Sequence, residues 1–174
     1  MRENAFLYID DVLPEGLGKR KDFKPSIEEV LKPDQTLLVQ VIKEPEGRKG
    51  AKVSTHISLP GRWIVYLPYA GYVAGSRKIA HEDERNRLKQ IAETFGKGEE
   101  GFIIRTAAEG RKEEEIRQEF RDLRLFWSDI LQDAEWMEAP AEVYQSADLL
   151  PRLVRDYIVG WTRLGMLELA RKRK

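Results

Sequence analysis

Short apolar runs in the first third of the chain are typical of β-strands. Residues 5–9, 36–43 and 51–57 are rich in Val, Leu, Ile and aromatic side chains, and each run has the length of a strand. Residues 44–50 form a polar segment with one Pro and two Gly, which predicts a hairpin turn. Ser26, with Glu29 three residues later, predicts the capping box of a short helical turn. This part of the chain is therefore expected to be dominated by β-structure.

From residue 59 onward the pattern alternates between β and α periodicity. Apolar strands are predicted at residues 62–67 and 102–106, and helices at residues 81–94 and 113–135. The longer helix carries one apolar stripe, formed by Ile116, Phe120, Leu123, Trp127, Ile130 and Leu131. A loop is expected over residues 68–79, a short strand at 142–145, and helices at 148–157 and 159–174. The two parts together predict an α+β fold.

Composition and charge narrow the function classes. The 174 residues include 30 Lys and Arg, 30 Asp and Glu, and no Cys. A net charge of zero argues against a basic coat that binds any polyanion, but it allows a local basic patch. Without cysteine there is no disulfide, thiolate nucleophile or cysteine-based zinc site. The most apolar window, residues 63–75, is shorter than the roughly 18 residues that cross a bilayer, so a soluble, cytoplasmic protein is expected.

Aromatic and basic side chains meet in the β-rich part. Phe6 and Tyr8 share one face of the first predicted strand, and the turn between the later strands carries Arg48 and Lys49. In barrels of the oligonucleotide-binding (OB) type, aromatic rings stack on bases and nearby cations meet phosphates. The alternative interpretation is that Phe6 belongs to the core and that the turn is merely solvated.

A second candidate site combines cations with hydroxyl groups. Ser76, Arg77 and Lys78 lie in a loop shortly before a predicted helix, which suits an anion. Arg105 and Thr106 end an apolar strand, where a guanidinium and a hydroxyl could hold a terminal phosphate. The alternative for Arg105 is an internal salt bridge to a glutamate, because an unpaired buried charge is costly.

Catalytic constellations are poor in this sequence. His56 and His81 stand far apart, and no HExxH, CxxC, GxSxG, Walker or Rossmann pattern occurs. Asp10 and Asp11 follow a strand and could bind a metal, but a turn or cap role is favoured. The acidic triplets at 82–84 and 113–115 are expected to complement helix N-termini. No catalytic or metal-binding residue is predicted.

Six motifs, in order along the chain, resemble the ribonuclease E/G family of bacterial endoribonucleases. They are RENAFLYIDDV at residues 2–12, LLVQVIKE at 37–44, KGA at 49–51, THISLPG at 55–61, SRKI at 76–79 and GFIIRTAAEG at 101–110. The resemblance implies that residues 1–56 are the later part of an OB-type RNA-binding domain, an incomplete OB-like barrel. Residues 57–158 would be a mixed α/β sensor region that recognises a 5′ monophosphate on RNA.

The resemblance also implies roles for individual residues. Phe6 and Lys49 fall where the barrel contacts RNA, and Arg105 and Thr106 fall on the positions that bind the terminal phosphate. The positions that contact the first nucleotide are Gly61 and Val65, and Arg77 lies on the adjoining basic loop. Single-stranded RNA is the partner that these positions imply.

Two departures from the family pattern matter for function. The first barrel strands have no counterpart, and residues 159–174 look like the end of the family's nuclease domain without its metal-binding Asp-x-Asn core or its paired-cysteine zinc link. Full-length relatives cut RNA with Mg²⁺, whereas this chain is expected to bind RNA without cleaving it and without a cofactor of its own. The alternative is a non-enzymatic interaction or remnant protein, such as a homo-oligomer, that associates through an exposed β edge.

Overall fold

The chain folds into two compact units, Met1–Ser58 and Leu59–Lys174. The structure is a computed structural model that describes residues 4–12, 25–96 and 98–145. Within these ranges it combines two small sheets with three helices. The predicted α+β class is confirmed, and the first sheet does not close into a barrel within the described residues. The predicted helices at 148–157 and 159–174 lie outside these ranges.

A three-stranded sheet organises the first unit. Strand β1 (Phe6–Leu7) runs parallel to β3 (Lys52–Ser54), and β2 (Gln40–Lys43) pairs with β3 in the antiparallel direction. Helix α1 (Ile27–Val30) begins with the predicted capping box, in which the Ser26 N–H donates to Glu29 at 3.0 Å. All three strands are shorter than predicted, because the pairing of β1 with β3 covers two residue pairs and that of β2 with β3 covers three.

The end of β1 shows how local turn chemistry limits a strand. Residues Ile9–Asp11 wind into a 3₁₀ turn, closed by the bond from the Asp11 N–H to the Tyr8 carbonyl at 2.9 Å. The prediction of a strand up to residue 9 is therefore wrong for its last positions. The Asp11 carbonyl then accepts hydrogen bonds from the Thr55 N–H at 2.8 Å and the Ser54 hydroxyl at 3.2 Å, which ties the turn to the residues around the end of β3.

A four-stranded sheet organises the second unit, in the order β4-β5-β7-β6. The parallel pair is β6–β7, and the other two pairs are antiparallel. The elements in chain order are β4 (Leu59–Pro60), β5 (Ile64–Leu67), β6 (Val73–Gly75), α2 (Glu82–Glu93), β7 (Gly101–Ile104) and α3 (Glu113–Glu135). The loop expected over residues 68–79 is wrong where it contains β6.

Helix α3 covers one face of this sheet. Its Phe120 ring lies 4.6 Å from Phe102 of β7 and 6.1 Å from Tyr66 of β5, between ring centroids. The apolar stripe is confirmed except at Leu131, which is 37% exposed, whereas Phe126 is buried although it was not predicted to be. The sequence pattern misses this because helical periodicity fixes a face but not how far the sheet extends beneath it. Along β5, the residues between the buried Ile64 and Tyr66 and after Tyr66 point to the opposite face of the sheet.

Two ionic clusters hold the helices against the sheet. Glu100 accepts from the Tyr66 hydroxyl at 2.8 Å and pairs with Arg124 of α3 at 2.5 Å. Burial raises the pKa of the Tyr66 phenol, and its bond to the Glu100 carboxylate raises it further. In the second cluster, Glu84 of α2 pairs with Arg87 at 2.6 Å and accepts from the Gly110 N–H at 2.9 Å. These contacts fix the loops on either side of β7.

The short strand predicted at residues 142–145 is wrong. These residues form no regular element, and they pair with none of the described strands. The Tyr144 ring instead makes an edge-to-face contact with the Phe126 ring of α3, with centroids 5.0 Å apart. A β-compatible composition is therefore insufficient here without a partner strand.

Candidate nucleic-acid interface

Arg105 stands directly after β7, at the end of the second sheet. Its N–H donates to the Trp63 carbonyl at 2.7 Å, and its guanidinium donates to the Gly61 carbonyl. Both contacts are to the segment between β4 and β5, so backbone carbonyls of this segment help to orient the arginine. Arg105 also interacts electrostatically with the Glu119 carboxyl of α3, so both interpretations of Arg105, a phosphate ligand and a partner of an internal glutamate, remain predictions.

The turn that contacts Arg105 is held by a partly buried carboxylate. Glu119 of α3 accepts hydrogen bonds from the N–H groups of Arg62, Trp63 and Ile64 at 2.5, 2.9 and 3.0 Å. Burial raises the pKa of the Glu119 carboxyl, while the three N–H groups and the charge of Arg105 oppose this rise. Sequence reasoning missed Glu119, because one glutamate in a charged helix carries no signal of its partners.

Gly61 has no room for a side chain in this turn. A Cβ at this position would lie 2.8 Å from the Glu119 carboxyl carbon and 2.9 Å from the Ile64 carbonyl oxygen. Both distances are below van der Waals contact. The Gly61 N–H donates to that same Ile64 carbonyl at 2.8 Å. The predicted role of Gly61 thus coincides with a position that packing alone reserves for glycine.

Thr106 and Ser76 meet at the same end of the sheet. Their hydroxyl oxygens are 2.9 Å apart, and the Ser76 N–H donates to the Ile104 carbonyl at 2.9 Å. Arg77 and Lys78 are exposed in the turn that follows, where the Lys78 N–H donates to the Ser76 hydroxyl at 3.3 Å. The structure therefore brings together two segments that are 30 residues apart in sequence and were predicted to hold one anion.

Val65 lies on the sheet face opposite the helix-covered one. It pairs with Ile103 across β5 and β7, and with Pro60 across β4 and β5. Its neighbours Ile64 and Tyr66 are buried, whereas Val65 is half-buried, as expected from the alternation of side chains along a strand. Val65 thus offers a small apolar surface on β5, the strand that follows the β4–β5 turn.

In the first unit, the structure places Phe6 beside the segment that begins with Lys49. The Phe6 N–H donates to the Ala51 carbonyl at 2.7 Å, and Gly50 passes so close to residue 4 that a Cβ there would overlap a backbone oxygen. Lys49 closes the predicted turn through two backbone bonds with Glu46 at 3.0 and 3.1 Å. Phe6 is 52% exposed, so the alternative that it belongs to the core is wrong.

The remaining sequence candidates take structural positions. His81 is the N-cap residue of α2, and Asp11 forms an ion pair with Lys52 at 2.8 Å. Residues 82–84 and 113–115 lie in the first turns of α2 and α3. Within residues 4–12, 25–96 and 98–145, no group of three or more potential metal-ligating side chains comes together.

Comparison with known proteins identifies the class to which this α+β chain belongs. A profile of the ribonuclease E/G family matches residues 58–159, which is more than half of the chain. The chain therefore belongs to the ribonuclease E/G family, and the resemblance drawn from its motifs is confirmed.

Relatives of known name extend the match to most of the chain. It is 38% identical to ribonuclease G of Haemophilus influenzae over 163 residues and 40% identical to ribonuclease E of a Nostoc species over 153 residues. It is also 35% identical to ribonuclease G of Escherichia coli K12 over 158 residues. The matches cover 91%, 88% and 88% of this chain but 33%, 22% and 32% of those proteins.

No helix within the described ranges is long and apolar enough to cross a membrane.

Proposed function

We propose that this chain binds single-stranded RNA, prefers a 5′ monophosphate, and is part of or derived from an RNA-processing endoribonuclease. One observation supports the preference above all. Arg105 and Thr106 directly follow β7: Thr106 lies beside Ser76, and Arg105 contacts a backbone turn that Glu119 holds. A guanidinium and hydroxyl groups are the donors that a phosphate with several acceptor oxygens requires.

Discrimination between RNA ends follows from the chemistry of this proposed pocket. A terminal monophosphate is a compact dianion, whereas a 5′ hydroxyl offers no charge and a triphosphate is larger. Charge-assisted hydrogen bonds are about twice as strong as neutral ones, so the monophosphate gains most from Arg105 and Thr106. Gly61 and Val65 would contact the first nucleotide, since Gly61 bonds to Arg105 and Val65 lies on β5, which pairs with β7. Arg77 would add a cation.

The first unit would hold the body of the RNA strand. An exposed ring such as Phe6 can stack on any base, which gives binding without strong sequence preference. Lys49 would meet the backbone phosphates, where a flexible ammonium acts as a point charge. These proposed RNA contacts of the two units require no catalytic group.

Binding of three RNAs that differ at the 5′ end tests the preference. The monophosphate form is expected to bind wild-type protein more tightly than the triphosphate and hydroxyl forms. Arg105→Ala should remove this difference, a loss of about tenfold or more for the monophosphate, as for one charged hydrogen bond. Arg121→Ala is the control, since Arg121 is exposed on α3 and bonds to Gln118. Equal affinity of wild-type protein for all three RNAs would contradict the proposed preference.

Cleavage is not part of the function proposed for this chain alone. Incubation of the purified chain with RNA and Mg²⁺ is expected to leave the RNA intact. Cleavage that copurifies with the protein through successive columns, and that stops when Mg²⁺ is chelated, would show that the chain carries a nuclease centre.

The β2 edge supports a second candidate function, association with another chain. Val41 and Ile42 of β2 are 56% and 49% exposed, and β2 is an outer strand of its sheet. Exposed apolar edges favour strand addition. Sedimentation analysis separates the candidates: an obligate oligomer without RNA affinity supports association, and a monomer that binds RNA supports the first proposal.

A further inference from the structure

A second exposed ring stands next to Phe6. The Tyr8 and Phe6 ring centroids are 4.3 Å apart with an angle of 66° between planes, and both rings are about half exposed, at 53% and 52%. Apolar rings in edge-to-face contact are commonly found in protein cores. Here the pair lies at the surface of a small sheet, so both rings are accessible to a planar ligand.

A lysine on the neighbouring strand completes this surface. Lys52 pairs with Phe6 in the β1–β3 register, and Lys43 pairs with Lys52 across β2 and β3. These three residues therefore form a row across the sheet. The Lys52 ammonium lies 5.3 Å from the Tyr8 ring centroid. Rings and cations are thus interleaved in the way that single-stranded nucleic acid requires.

Lys52 is paired with an acidic side chain of the same unit. The Asp11 carboxylate lies 2.8 Å from the ammonium, and the two side chains are 22% and 36% exposed. An ion pair this exposed contributes little to stability. A phosphate can therefore replace the carboxylate at small cost, because one anionic acceptor takes the place of another.

We propose that Tyr8 and Lys52 form a second nucleotide position beside Phe6, with Asp11 as an internal competitor for the RNA phosphate. The proposal rests on RNA binding by the first unit and names residues beyond those that the family resemblance assigns. A base stacks on the exposed Tyr8 ring, and the adjacent phosphate takes the Lys52 ammonium from Asp11. Asp11 thereby lowers the affinity of this position.

Loss of the ring is the first test. The probe is an oligoadenylate of about ten nucleotides, within the usual span of such a fold, with a 5′ hydroxyl so that the proposed phosphate pocket is not engaged. Tyr8→Leu is expected to weaken binding at least about fivefold, the lower limit for one stacked base. Tyr72→Leu is the control, because Tyr72 is 52% exposed in the other unit and should leave affinity unchanged.

Gain of affinity is the second test, and misfolding cannot imitate it. Asp11→Asn should raise affinity roughly threefold to fivefold, since it releases Lys52 from an exposed ion pair. The neighbouring Asp10→Asn makes the same charge change and should stay within about twofold. Adding Lys52→Gln to Asp11→Asn should abolish the gain.

The outcomes separate this inference from the function on which it rests. If wild-type protein binds the oligoadenylate and neither Tyr8→Leu nor Asp11→Asn changes affinity, the second nucleotide position does not exist, although RNA binding stands. If wild-type protein binds no RNA with any 5′ end, both proposals are overturned. Equal gains from Asp10→Asn and Asp11→Asn would show a general charge effect and would remove the competitor role.

Discussion

At the residue scale, the candidate phosphate site depends on a group that would not touch RNA. Glu119 reaches from α3 to three consecutive N–H groups, and the turn it holds presents the Gly61 carbonyl to Arg105. A carboxylate that satisfies buried backbone donors fixes their positions, because leaving them unpaired is costly. The position of the turn that contacts Arg105 is therefore set by a side chain of α3.

Replacing this carboxylate should destabilise the second unit. In Glu119→Gln one acceptor oxygen remains, and the new amide N–H group faces backbone donors. We expect the free energy of unfolding to fall by about 1.5–3 kcal/mol, the range for hydrogen bonds to charged groups. Denaturant titration measures the change. Glu114→Gln, on an exposed position of the same helix, should stay within about 0.5 kcal/mol, and an equally small effect of Glu119→Gln would contradict the bracing role.

The Glu84 carboxyl should make the stability of the second unit depend on pH. The bonds from Arg87, together with the Gly110 N–H, lower the pKa of Glu84 from 4.5 to about 2. A folded-state pKa below the unfolded value adds stability above pH 4.5, and that stability is lost as the pH falls from 4.5 toward 2. Glu84→Gln should thus be less stable than wild type at pH 7, and the difference should shrink across that window. Glu82→Gln, an exposed change in the same helical turn, is the matched control.

At the element scale, the sequence was most informative where a pattern was long and local. Helix α3 spans Glu113–Glu135 as predicted, because 23 residues of one apolar stripe average out local exceptions. Strand β6 was missed because it has only three residues, Val73–Gly75, and exists through parallel pairing with β7. The contacts of Arg105 and Glu119 were equally invisible, since they join segments more than 40 residues apart.

The β6–β7 pairing depends on a glycine that the sequence pattern does not mark. A Cβ on Gly101 would lie 2.7 Å from the Tyr72 carbonyl oxygen and 2.8 Å from the Ala70 Cβ. Backbone cannot yield as a flexible side chain can, so Gly101→Ala should lower the unfolding free energy by about 1–3 kcal/mol. Gly96→Ala is the control, because its Cβ would meet Phe102 at an ordinary 3.6 Å. Thermal unfolding compares the two, and equal midpoints would contradict the close packing.

At the scale of the whole molecule, balanced charge limits how RNA can be held. The chain has 30 basic and 30 acidic residues, and within the described residues some of the basic side chains are paired, as in the contacts of Arg87 and Arg124 with glutamates. The proposed RNA contacts use a small number of cations in each unit: Lys49 and Lys52 in the first, and Arg77, Lys78 and Arg105 in the second. Affinity therefore has to come from stacking and a specific phosphate contact as well as from charge.

The salt dependence of RNA binding tests this limit. Each phosphate neutralised on a single strand contributes about 0.7 to the slope of log affinity against log salt, so the five cations allow a slope no steeper than about −3.5. Titration of 5′-monophosphate RNA at several salt concentrations measures it, and Arg105→Ala should make the slope shallower by about 0.7 while Arg121→Ala leaves it unchanged. A slope near −7, twice that limit, would mean that basic residues of the helices also contact RNA. Binding would then be governed by a general basic surface, which the charge balance argues against.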